Sequence, residues 1–355
     1  MITLLIILLS TVLVFNSWFK QPSLPSLRKI AEISLDGFYV VEDVCVRGEE
    51  VFVVGWRHNT SIQRSYMILA KLDRDGRMVW NITWADYNSN GREISCNEYG
   101  LYVVCTSRNA TNLLYYNLVK FSLNGKHEWN RSWSSIGGIY ATEEAIYIIK
   151  DGELTKLDVY GNILWEKKVE GNAIDVANNC IYVAGSTTRS TGRPHAILTV
   201  FDTDGNQLWN ASRTSMKGEG PIDICAGVDG IYIVGVGTKV WNTLRFITKF
   251  SLDGKQIWDR EWSGAEKNMT LYSLCEFQDR IYAVGIKGGS SDQVEAIIVG
   301  FDSDGNVSWQ DVYASSGVDY ALEAYSTKER IYIVGYSERS VLPHWQGFLL
   351  IYSII

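Results

Sequence analysis

One hydrophobic phrase recurs seven times along the chain. It is a short apolar run opened by a hydrophobic residue and an aromatic: Val51-Phe52, Leu101-Tyr102, Ile146-Tyr147, Ile181-Tyr182, Ile231-Tyr232, Ile281-Tyr282 and Ile331-Tyr332. The starts lie 50, 45, 35, 50, 50 and 50 residues apart. Runs this short, bounded by turn residues, read as buried strands rather than helices. The period is too long for a helical solenoid and fits four-stranded propeller blades. The pattern therefore predicts an all-β fold, a single seven-bladed β-propeller over residues 21–355, with a separate hydrophobic segment at residues 1–20.

The first repeat gives the blade template. Residues 42–46 read as the inner strand, 51–55 as the second, 66–72 as the third and 78–84 as the outer one. Between the third and outer strands stands Asp73-Arg74-Asp75-Gly76, with equivalents ending at Gly125, Gly161, Gly205, Gly254 and Gly305. Glycine after Asp or Asn supplies the positive φ of a tight hairpin. Four residues after each glycine comes a tryptophan: Trp80, Trp129, Trp165, Trp209, Trp258 and Trp309. Alternate strand residues share a face, so Trp80 and Trp84 point the same way and are expected to wedge between blades. The seventh repeat has inner, second and third strands near residues 322–325, 331–335 and 347–353 but no outer one. Residues 28–35 are expected to supply it, closing the last blade with the N-terminal strand and removing two free sheet edges.

The xYxxG strand, the K-[FL]-[DS]-x-x-G turn and the following tryptophan, as in Lys71-Leu72 to Trp80 and Lys249-Phe250 to Trp258, resemble the SBBP-type and quinoprotein-like (PQQ-like) propeller repeats. The resemblance covers nearly everything after residue 27. It implies a propeller, often on a secreted or surface protein, and its motifs specify blade structure rather than activity.

Composition narrows the partners. A formal net charge of −7 and the lack of a basic stripe exclude a nucleic-acid scaffold. Cys45, Cys225 and Cys275 each stand six residues before the apolar phrase, so they read as small thiols packed near the inner strands. Cys96, Cys105 and Cys180 follow no pairing logic. Residues 2–19 carry no charge and read as a signal peptide or membrane anchor. Seven N-x-S/T sequons begin at Asn59, Asn81, Asn109, Asn130, Asn210, Asn268 and Asn306. The basic residues Lys20, Arg28 and Lys29 after the hydrophobic segment favour a cytoplasmic propeller. The sequons favour an extracytoplasmic, glycosylated one, and that placement is the expectation carried forward.

The connections between second and third strands are long and polar, for example residues 57–64, 106–112 and 338–344, and they surround one mouth of the central channel. A ligand is expected on this long-loop face. Trp56, Trp241 and Trp345, with Arg57, Arg189 and Arg193, are the candidate contact residues. Five repeats start the inner strand with an acid, namely Asp43, Glu93, Asp175, Asp223 and Glu323, against Gly138 and Ser273 in the other two. Two readings stand. The acids form a channel-mouth ring able to hold a cation or a basic partner, or each caps backbone amides of the neighbouring blade.

The Asp-x-Asp-Gly turns lack the further ligands of a calcium loop, and no quinone pocket with calcium ligands is identifiable. No metal site and no cofactor are therefore expected. No Ser, His and Asp set can be nominated for catalysis either. The chain reads as a non-catalytic propeller that binds a protein or glycan at the cell surface. The alternatives are a quinone-dependent or carbohydrate-acting enzyme, or an architectural envelope component.

Overall fold

Alternation of apolar and polar residues, punctuated by glycine turns, folds into seven antiparallel four-stranded sheets arranged as propeller blades. The computed structural model describes residues 27–84, 88–108, 111–188, 194–213, 218–239, 242–263, 269–288, 294–315, 317–339 and 344–354. Strand β1 is Leu27–Leu35. Blade 1 is β2 (Val40–Arg47), β3 (Glu50–Asn59), β4 (Arg64–Asp73) and β5 (Met78–Trp84). Blade 2 is β6 (Asn90–Asn97), β7 (Gly100–Arg108), β8 (Leu114–Phe121) and β9 (His127–Trp133). Blade 3 is β10 (Ile136–Ala141), β11 (Ile146–Lys150), β12 (Glu153–Leu157) and β13 (Ile163–Lys168). Blade 4 is β14 (Ala173–Ala177), β15 (Cys180–Thr188), β16 (Pro194–Asp202) and β17 (Gln207–Ser212). Blade 5 is β18 (Gly218–Gly227), β19 (Gly230–Lys239), β20 (Asn242–Phe250) and β21 (Gln256–Ser263). Blade 6 is β22 (Met269–Glu276), β23 (Ile281–Lys287), β24 (Glu295–Phe301) and β25 (Val307–Tyr313). Blade 7 is β26 (Val318–Ser326), β27 (Arg330–Arg339) and β28 (His344–Ile354), completed by β1.

Closure follows the expected route. β1 pairs antiparallel with β28 from Leu27 opposite Ile354 to Leu35 opposite Gly347, with one irregularity between Lys29 and Ala31. Charged groups then clamp blade 7 to blade 1. Arg74 Nη2 lies 2.9 Å from Glu329 Oε2, Arg330 Nη1 lies 2.9 Å from Asp75 Oδ1, and the Tyr332 hydroxyl donates to the Arg74 carbonyl at 3.2 Å.

At the rim, the outer-strand tryptophan of one blade lies over the turn glycine of the next. Gly305 has φ of +78°, and a Cβ built there would come within 2.8 Å of the Trp258 ring. Glycine is thus required twice at that position, by backbone conformation and by the indole. Trp258 Nε1 donates to the Ser303 carbonyl of the same turn at 2.9 Å. Trp80, Trp129, Trp165 and Trp209 meet Gly125, Gly161, Gly205 and Gly254 in the same way. Where blade 7 meets blade 1, Ile33 takes the tryptophan's place over Gly76.

Candidate functional site

The inner strands surround a central cavity of about 430 Å³. In six of them the ladder slips by at least one residue just before or at the position eight residues ahead of the apolar phrase. Such a bulge re-aims the side chain that follows. Asp43 bridges two blades, accepting Val44 N from its own strand and Ile94 N from blade 2 at 2.6 Å. Asp223 repeats the arrangement with Ile224 N at 2.8 Å and Leu274 N at 2.7 Å. Glu93 accepts Ile139 N at 3.1 Å, and Glu323 accepts the Ser273 hydroxyl and Ala324 N. Of the two readings, the amide cap is the one these hydrogen bonds express.

Asp175 does not belong to the same level. It pairs with Tyr182, the position Cys45, Cys225 and Cys275 occupy opposite Phe52, Tyr232 and Tyr282, whereas Asp43 pairs with Val54 and Asp223 with Val234. It caps Ala226 N at 2.7 Å one level deeper, as Ser95 caps Ala141 N at 2.8 Å. The sequence carried the signal, since Asp175 precedes its apolar phrase by six residues and the other four acids precede theirs by eight.

Burial dominates the protonation of these groups. It pushes Glu93 up to about 8, Asp43 and Asp223 to about 7 and Asp175 to about 6, against the opposing pull of the backbone amides. Glu323 is raised well above the ordinary range by burial and by Asp223 and Asp43. Among the described residues no three His, Cys, Asp or Glu side chains gather as a metal cage. The calcium-like turns use their carboxylates internally. Asp302 Oδ1 accepts Asp304 N at 3.0 Å and Asn306 N at 2.8 Å, and Asp202 does the same in its own turn. Cys45, Cys225 and Cys275 are buried thiols, and Cys96 lies in hydrogen-bond contact with Cys45 across the boundary of blades 1 and 2.

On the long-loop face, much of what polarity marks as loop is strand. Arg57, His58 and Asn59 pair with Tyr66, Ser65 and Arg64, and Glu338 pairs with Trp345. The ladder outlasts the hydrophobic run because backbone pairing needs no apolar side chain once both faces meet solvent. Trp56 and Trp345 are therefore strand residues rather than loop residues. Their rings meet edge to face at 5.5 Å, Trp345 stacks on Tyr336 at 5.3 Å, and Tyr336 stacks on Tyr320 at 4.7 Å. All four rings are partly exposed, so they form one continuous aromatic row where blades 7 and 1 meet. Sequence reasoning missed Tyr320 and Tyr336, which face each other across the β26–β27 pairing.

Trp56 Nε1 donates to Glu42 Oε1 at 2.9 Å, and Arg92 Nη1 of blade 2 reaches the same oxygen at 3.3 Å. Arg57 is exposed beside the row. Arg189, Arg193 and Trp241, like Asn109 and Asn268 and the segment 2–19, lie outside the described residues. The sequon residues Asn59, Asn81, Asn130, Asn210 and Asn306 are all exposed.

Solved structures similar in fold include the following three. A protein of unknown function from Dyadobacter fermentans is 11% identical, with a TM-score of 0.56 over 94% of this chain and 100% of its own. The β-propeller domain of the trilobed protease from Pyrococcus furiosus is 10% identical, with a TM-score of 0.53 over 87% of this chain and 92% of its own. The phage phi92 endosialidase is 11% identical, with a TM-score of 0.51 over 93% of this chain and 69% of its own. At these identities the likeness is one of fold. No curated protein matches in sequence. The family model described as outer membrane protein assembly factor BamB matches residues 68–345, most of the propeller, and the chain belongs to that PQQ-like propeller family.

Proposed function

We propose that this propeller is a non-catalytic, extracytoplasmic binding protein, tethered or exported through residues 2–19, whose long-loop face holds a protein partner. The aromatic row of Tyr320, Tyr336, Trp345 and Trp56 carries the reading. Tyr, Trp and Arg are the residues that concentrate binding energy at protein interfaces. Mutual stacking fixes these rings in advance, which lowers the entropy lost on binding. The two stacked contacts cover ring faces of Tyr320, Tyr336 and Trp345, which suits packing by side chains better than stacking by a sugar face. The family description, an assembly factor, is consistent with a role exercised through binding. Five exposed sequon asparagines fit an extracytoplasmic surface.

The test is proximity crosslinking on intact source cells with a membrane-impermeant reagent, comparing the natural chain with Trp345→Ala. A defined protein captured by the first and lost from the second, with unchanged melting temperature, is the expected result. Absence of any label on the natural chain would overturn the location, and equal capture by both would overturn the face.

A further inference from the structure

Blade 3 breaks the height of the ring. Its β11–β12 hairpin turns at once, with Lys150 opposite Glu153, while the neighbouring β7–β8 hairpin runs on to Arg108 opposite Leu114. The step leaves a cleft of about 530 Å³ on the long-loop face, walled by that hairpin and by the first residues of β6 and β10. Arg92, Arg108, Asn90, Leu114 and Tyr116 line it, together with Glu93.

On a chain of formal net charge −7, two arginines line one cavity, one of them paired with Glu42 and the other with no acid partner among the described residues. The side chain of Arg92 is 51% exposed although one nitrogen reaches Glu42, and Arg108 is exposed and donates to the nearby Asn112 carbonyl at 3.1 Å. Both keep donors for a ligand, and the guanidinium fork matches a carboxylate. Glu93 opposes an anion less than an ordinary carboxylate would, since burial raises it to about 8. Leu114 is 41% exposed beside the arginines and offers apolar contact. Glu42, shared by Arg92 and Trp56, joins the cleft to the aromatic row.

We propose that this cleft binds a carboxylate of an extended peptide segment of the partner, with Arg92 and Arg108 on the carboxylate and Leu114 and Tyr116 against the adjoining apolar side chain. The assignment rests on the protein-binding reading above and adds the chemistry of the bound segment.

Random twelve-residue peptide libraries, displayed once with a free amino end and once with a free carboxyl end, are panned on the whole chain. Each recovered peptide is then titrated beside a counterpart whose acids are replaced by amides. Recovered peptides should be enriched in an acid next to an apolar residue, and the amide counterparts should bind at least tenfold more weakly. Arg108→Gln should abolish that gap without moving the melting temperature, whereas Trp345→Ala should weaken both peptides alike. Enrichment in both libraries assigns the carboxylate to a side chain, and enrichment only with a free carboxyl end assigns it to a chain terminus. Equal binding of acid and amide peptides overturns the cleft assignment and leaves the binding face intact. Recovery of no peptide from either library overturns both.

Discussion

At the rim of the ring an indole of one blade covers the turn glycine of the next, while around the channel the same blades meet through a carboxylate held between two backbone amides. The rim contact is apolar and depends on shape. The channel contact is polar and exists only while a buried acid satisfies amides that would otherwise lack partners. One ring is thus held by two interfaces that respond to different perturbations. Composition and packing govern the first, and proton activity governs the second.

The sharpest way to break the comparison is to remove β1. Both interfaces need a closed ring, so deletion of residues 21–36 should abolish the cooperative melting transition or drive oligomerisation through the exposed β28 edge. A monomer that melts as before would show that closure contributes nothing.

Next in size is Trp258→Ala. Trp258 is 9% exposed, and truncating a large buried aromatic costs about 3 to 5 kcal/mol. Denaturant unfolding should show that deficit equally at pH 5 and pH 8, because nothing in the rim contact titrates there. A deficit that changes with pH would show that the two interfaces are coupled.

A change of pH separates the interfaces most cleanly. Asp43, Glu93, Asp175 and Asp223 are raised to about 7, 8, 6 and 7 in the folded protein, against about 4 in an unfolded chain. The folded state therefore holds protons that the unfolded chain releases. Their contribution is fully present below about pH 4 and is lost as the pH rises through 6 to 8. The turn carboxylate of Asp202, held below its ordinary range by Asn206, acts in the opposite sense and gives up its contribution only in more acidic solution. The melting temperature should climb as the pH falls from 8.5 to about 5. Asp223→Asn should flatten that slope, and Asp223→Ala should in addition cost about 1 to 3 kcal/mol by stranding Ile224 N and Leu274 N. An unchanged slope in Asp223→Asn would remove the acid from any pH-dependent role.

What could be read from the sequence follows the range of the interactions. Turn glycine and tryptophan sit four residues apart, so the rim contact was visible as a local motif even though its two halves belong to different blades. β1 was visible because the seventh repeat lacks an outer strand. The channel acids were visible as residues but not as caps, since a cap is defined by the amide it faces some 50 positions away, as Asp43 faces Ile94. Asp175 resembles the other four acids in residue type and differs from them only in spacing, six residues from its apolar phrase instead of eight. The aromatic row was half visible. Trp56 and Trp345 stood out, while Tyr320 and Tyr336 meet only through the register of a hairpin whose polar ends conceal that it is a strand pair.

The seal between β1 and β28 also sets a timetable. Leu27 finds its partner only in Ile354, more than 300 positions later, so no amount of local folding can finish the ring early. At cellular synthesis rates that interval is roughly 20 to 70 s. During it β1 waits as an unpaired strand beside blades that are already forming, and ring assembly carries the slow signature of long-range contacts. A newborn copy of this propeller is accordingly a ready recipient for the edge of another, and its fidelity rests on whatever keeps β1 apart until β28 emerges.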